Sequence, residues 1–94
     1  MSAAPVRDYV FNPHALLEMA RRGLNEGTIR GILDKPEQRS EVRPGRDVVQ
    51  SRVRMGTPER SYLVRVFVDV DRTPAEVVTA YRTSRIAKYW REEK

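Results

Sequence analysis

The residues able to do chemistry in this chain are few, and His14 comes first. It is the single histidine, and no other side chain has an unperturbed titration range suited to acid–base work near neutral pH. It follows Asn12-Pro13, a pairing that starts helices: Asn accepts a hydrogen bond from the first turn, and Pro sits where its missing N–H does no harm. His14 would then stand in the first helical turn, where the positive end of the macrodipole favours the neutral base. The plainer role is a half-buried histidine that caps the helix start or touches a sheet edge, and spacing alone favours that role. A second constellation is Tyr81-Arg82-Thr83-Ser84-Arg85. It puts two guanidinium groups and two hydroxyls at an expected strand-to-helix junction, where free backbone donors and Arg together bind phosphate. The same residues also fit a simple N-cap at Thr83 or Ser84 flanked by solvated arginines.

Further cations fall at alternate positions. Arg52 and Arg54 share one face of an expected strand, and Arg65 comes from the next; Arg46 follows the Pro44-Gly45 turn, and Lys88 lies in the C-terminal segment. Such a face can track a nucleic-acid backbone by releasing counterions. It is also the ordinary solvated face of an antiparallel sheet. Tyr89 and Trp90 could stack on a base, or serve as amphipathic anchors that dock a terminal helix.

Composition narrows the classes. The 94 residues fit one domain, carry a formal charge of +5, and are 39% hydrophobic and 33% charged. That is too apolar and too patterned for a disordered chain. Fifteen of the 18 cations are Arg, whose planar fork matches phosphate, and the basic balance favours polyanionic partners. With no cysteine, disulfides, thiolate nucleophiles and Cys-based zinc sites are excluded. There is no glycine-rich phosphate loop, dinucleotide fingerprint or nucleophile elbow. No acidic cluster has cation-site spacing, so neither a metal nor another cofactor is expected. No targeting or spanning segment is visible; a cytoplasmic protein without membrane contact is the expectation.

The elements that must position these residues are legible from periodicity. Residues 1–8 read as a loose leader, with Tyr9-Val10-Phe11 as a short extended lead-in. A helix runs from Pro13 to Arg22 and stops at Gly23; a second opens at Asn25 and ends before Pro36. From Gln38 the period becomes two. Strands are expected over 38–43, 48–55, 62–70 and 76–81, followed by a helix from Thr83 or Ser84 through Trp90. The expected fold is α+β: two N-terminal helices, a four-stranded antiparallel sheet and a C-terminal helix, in the order α-α-β-β-β-β-α.

Three segments carry a resemblance: Phe11-Asn12-Pro13-His14-Ala15, Met19-Ala20-Arg21-Arg22-Gly23-Leu24 and Val77-Val78-Thr79-Ala80-Tyr81-Arg82-Thr83-Ser84. Together they resemble a small bacterial family of domains of unknown function, with an F-x-x-H-A start and a V-V-T-[AV]-Y-R end. More distantly, the organisation is similar to BrnT-like and RelE-like toxins, which cleave RNA without metal. The likeness implies His14 as acid or base, Arg82 as the clamp on the reacting phosphate and Thr83 as a hydrogen-bond donor. Tyr89 or Lys88 would be the partner from the terminal helix. From the charge pattern, Arg46, Arg52, Arg54, Arg65, Ser84, Arg85 and Lys88 are the expected RNA contacts. The likeness also implies an antitoxin protein as partner. The alternatives are a non-catalytic module that binds RNA or an acidic protein, and a structural domain that forms a homodimer through a sheet edge.

Overall fold

The computed structural model describes residues 3–92. The elements, in chain order, are β1 (Tyr9–Phe11), α1 (Pro13–Arg21), α2 (Glu26–Asp34), β2 (Gln38–Arg43), β3 (Arg46–Met55), β4 (Arg60–Asp69), β5 (Ala75–Thr83) and α3 (Ile86–Tyr89). The strands form one five-stranded sheet in the order β1-β5-β4-β3-β2. The expectation of a four-stranded antiparallel sheet is therefore corrected. Tyr9–Phe11 is a fifth strand, and it runs parallel to β5, pairing Tyr9 with Ala75 and Phe11 with Val77. The other three pairings are antiparallel. A lead-in of three residues has too little periodicity to announce a strand, and its partner lies more than sixty positions away, so the local pattern held no sign of the pairing.

Both helices begin as the sequence requires. Asn12 Oδ1 accepts from the His14 N–H at 2.8 Å, and Asn25 Oδ1 accepts from the Thr28 N–H at 2.7 Å. Gly23 ends the first helical segment with φ +69°, a conformation that costs glycine little. The helices cover one face of the sheet. That face is lined by small β-formers, namely Val49, Val64, Val66, Val68, Ala75, Val77 and Ala80. The bulk filling the space above them comes from Met19, Leu24, Ile29, Ile32 and Leu33. The core is thus a Val/Ala floor beneath long helical side chains, which is the large-against-small arrangement that close packing needs.

Residues 3–8, expected as a loose leader, are held at several points. Val6 is buried, its N–H donates to the Leu33 carbonyl at 2.9 Å, and Arg39 donates to the carbonyls of Ala4 and Pro5. The C-terminal helix is also shorter than expected. β5 continues through Thr83, and α3 is a single turn from Ile86 to Tyr89. The Thr83 hydroxyl accepts from the Arg85 N–H at 3.1 Å and forms a local turn, while Arg85 at the cap position makes no side-chain capping bond.

Past Phe11, β1 no longer covers β5, and the rest of that strand would be an open edge. Arg22 closes it. Its guanidinium donates to the Ala80 carbonyl at 2.8 Å and to the Thr79 hydroxyl at 3.3 Å. Among the described residues no helix is long and apolar enough to cross a membrane.

Candidate functional site: the outer sheet face and its C-terminal strap

Alternation along the strands decides which side chains share a surface. The register pairs Gln50 with Arg65 and Arg52 with Leu63 across β3 and β4. It pairs Arg65 with Tyr81 and Phe67 with Thr79 across β4 and β5. These residues alternate with the core valines and so face away from α1 and α2. Part of this outer face is covered by the chain that leaves β5: α3 and residues 90–92 return over the sheet as a strap.

Two glutamines hold the strap. Gln38 and Gln50 are 6% and 2% exposed. Gln38 Nε2 donates to the Arg91 carbonyl and Gln38 Oε1 accepts from the Arg91 N–H, so one amide pairs with both backbone groups of a single residue. Gln50 Nε2 donates to the Tyr89 carbonyl at 3.1 Å and to Gln38 Oε1 at 2.8 Å. The rings of the strap lie on arginines. Arg65 Cζ is 4.5 Å from the Tyr89 centroid, and Arg52 Cζ is 4.0 Å from the Trp90 centroid. Each guanidinium is fixed from below. Arg65 donates to Gln50 Oε1 at 2.9 Å and to the Tyr81 hydroxyl at 2.8 Å. Arg52 makes a two-pronged pair with Glu37, at 3.2 and 2.9 Å. The Arg52 hydrogen bonds also hold the Glu37 carboxyl below the usual carboxylate range. Phe67 stacks near-parallel on Tyr81 with centroids 6.0 Å apart, which extends the aromatic surface beyond the strap.

The residues expected to carry catalysis are dispersed. His14 is at the start of α1 with its side chain 67% exposed, and its Nε2 lies 3.3 Å from Glu18 Oε1. That end of α1 is tied to the middle of β5, because the Asn12 N–H donates to the Val77 carbonyl. Arg82 is five residues further along the strand, about 17 Å at ~3.3 Å per residue. There it lies over the Tyr62 ring and donates to the Met55 sulfur on the helix-side face. Thr83 pairs with Leu63 and so points to the outer face, while Tyr89 sits on Arg65. His14 thus shares no surface with Thr83 and Tyr89.

The expected nucleic-acid contacts divide by charge. Arg46, Arg52 and Arg54 each pair with a carboxylate, from Asp69, Glu37 and Glu59 respectively. Arg65, Arg82, Arg85 and Lys88 have no carboxylate partner among the described residues. All four belong to the end of β5, the strand beside it, or the strap. Ser84 is exposed in the same turn. A one-turn helix offers too little dipole to bind an anion at its N-terminus, so the expected phosphate site at the strand-to-helix junction reduces to its side-chain cations.

Sequence reading missed Gln38, Gln50 and Phe67 as parts of this site, and gave Tyr81 no role of its own. Gln50 stands in alternation with Arg52 and Arg54 on β3. The available signal was its neutrality: an uncharged amide in an otherwise cationic row suits a covered position. Among the described residues no group of three or more His, Asp or Glu stands close enough to hold a metal. The recess beside Val6, Tyr9 and Arg30 is open, with Arg30 already engaged by Glu26 and the Tyr9 hydroxyl.

The comparisons with protein-family models, with curated proteins and with solved structures found no match. The chain must therefore be read from its own geometry.

At the opposite end of the sheet, Arg46 donates to both oxygens of the buried Asp69 at 2.6 and 3.2 Å, and Arg72 approaches at 3.6 Å. The Arg46 hydrogen bonds, joined by the charges of Arg72 and Arg43, hold the Asp69 carboxyl below the usual carboxylate range, against the opposing effect of its burial. A carboxyl lowered in the folded state contributes stability that is complete above its unfolded pKa and is lost as pH falls through the folded value. Asp69→Asn is therefore expected to cost about 1–2 kcal/mol at neutral pH, since the pair is only partly desolvated. It should also flatten the acid side of a plot of urea midpoint against pH. An acid limb as steep as wild type would show that Asp69 is not the group responsible.

Proposed function

We propose that this chain is a non-catalytic nucleic-acid-binding module, and that it contacts RNA through the end of β5 and the outer sheet face beside it. The observation that carries this reading is that four uncompensated cations gather around the end of β5. Arg65, Arg82, Arg85 and Lys88 lack carboxylate partners among the described residues, whereas Arg46, Arg52 and Arg54 along β3 are each paired with one. Two of the four also lie against rings of the sheet: Arg65 near Phe67 and Tyr81, and Arg82 over Tyr62. Cations mark a place for phosphate, and flat rings mark a place for bases, a combination used to bind single strands. A ribonuclease of the toxin kind would instead need His14 and Arg82 on one concave surface, and about 17 Å of strand separates their anchor points.

The test is the affinity of a short labelled single-stranded RNA measured across a salt series. With four cations engaged, log K is expected to fall against log salt with a slope of about −3, at roughly −0.7 per contact. Binding should be weaker to duplex RNA, which hides its base faces. His14→Ala should leave the affinity unchanged and the RNA intact. RNA shortened by the wild type but not by His14→Ala would replace this reading with the nuclease. Absence of any salt-dependent binding would remove the nucleic-acid assignment.

A further inference from the structure

The strap covers two sites that are built for rings. Arg65 and Arg52 lie diagonally on neighbouring strands, because Arg52 pairs with Leu63 two residues before Arg65. Both guanidiniums are anchored by two hydrogen bonds each, and each has its Cζ over an aromatic ring of the strap, at 4.0 Å for Arg52 and 4.5 Å for Arg65. The strap itself is attached mainly through its backbone, by the Gln38 and Gln50 amides. α3 has no buried residue. The sheet thus holds two anchored guanidiniums, and the rings above them belong to a segment fastened by a few hydrogen bonds.

We infer that Arg65 and Arg52 form a pair of stacking sites for two unpaired nucleobases, occupied in cis by Tyr89 and Trp90. The inference rests on the proposed nucleic-acid reading and specifies its ligand. Diagonal neighbours on adjacent strands stand about 7–8 Å apart. Bases stacked within a helix are about 3.4 Å apart along one strand. The two sites therefore fit splayed, unstacked bases of a single strand and exclude a continuous stack. An anchored guanidinium stacks on any base, so the pair reads no sequence. Tyr81, whose hydroxyl holds Arg65 and whose ring meets Tyr89 edge-on at 6.3 Å, forms the wall between the first site and Phe67. Filling the two stacking sites requires the Tyr89 and Trp90 rings to lift off the sheet, and affinity is reduced by the fraction of molecules in which they are closed.

Trp90 is the single tryptophan, so its emission reports the strap directly. The experiment titrates a short labelled single-stranded RNA into the full chain, into Trp90→Ala and into Gln38→Leu, with circular dichroism to verify folding. Trp90→Ala removes the occupant of one site, and Gln38→Leu removes the amide that holds the strap. The expected result is that both variants bind about tenfold tighter than wild type, and that RNA shifts the Trp90 emission of wild type and Gln38→Leu. Should Trp90→Ala misfold, Gln38→Leu and the wild-type emission decide the matter. Weaker binding by Trp90→Ala would mean that the tryptophan belongs to the binding surface, and would overturn the inference. Equal affinities with silent Trp90 emission would also overturn it, while leaving the cation-based reading intact. No binding by any of the three proteins would remove both.

Discussion

Replacing Arg82, Arg85 and Lys88 together by Glu is expected to weaken binding of single-stranded RNA by more than about a hundredfold at moderate salt. Each lost charge-assisted phosphate contact is worth about 1 kcal/mol or more, and every tenfold is about 1.4 kcal/mol. Three losses thus reach about a hundredfold before the added repulsion is counted. The residual salt slope should shrink by about 2, from three contacts at roughly 0.7 each. Stability should change little, because none of the three has a carboxylate to lose among the described residues and Arg85 and Lys88 are exposed. The informative control is Arg54→Ala. Arg54 is as exposed as the others but is matched with Glu59 at 2.8 Å, so its loss should hardly alter affinity. Equal damage from Arg54→Ala would show that net charge matters and that place does not.

The second large effect concerns the core. Leu33→Ala is expected to destabilise the fold by about 3 kcal/mol, read as a drop in urea midpoint at constant slope. Leu33 is fully buried in the last turn of α2 and is among the few bulky side chains above a floor of Val and Ala. The strands beneath cannot close the gap, since a sheet fixed by its ladder does not move inward to follow one missing side chain. The Leu33 carbonyl also receives the Val6 N–H, so a shift of this turn would loosen the N-terminal segment too. Against a total stability of roughly 5–14 kcal/mol for a chain this size, such a loss is severe. A midpoint close to wild type would mean that α2 settles onto the sheet without it.

What could be read from residues in order was whatever depends on neighbours in order. The two Asn caps, the stop at Gly23 and the switch to period two at Gln38 are local events, and the structure has them where the spacing put them. The parallel pairing of Tyr9–Phe11 with Ala75–Val77 is not local, and nothing within three residues encodes a partner so distant. Charge was hidden for the same reason. Arg46 and Arg52 read as free cations because the carboxylates that neutralise them, Asp69 and Glu37, lie on other elements. The alternation placed Arg52 and Arg65 on one face correctly. It could not show that this face is partly roofed, because the roof is the chain's own C-terminal segment, attached through backbone groups that every residue has. The chemistry of YRTSR was misjudged by one element. With β5 running through Thr83, the Arg82 and Thr83 side chains go to opposite faces of the sheet.

The position of β1 also has a consequence in time. Its partner strand is made more than sixty residues later, and at roughly 5–20 residues per second the ribosome takes about 3–13 s to supply it. The helices that follow β1 and the three antiparallel strands can meet through near neighbours before then. Tyr9–Phe11 has no edge to join until Ala75–Val77 is in place, so this strand, though made before its partner, is among the last to dock. Until it does, the growing chain carries Tyr9 and Phe11 uncovered. A pairing of such long sequence separation makes the last step of sheet assembly wait on β5.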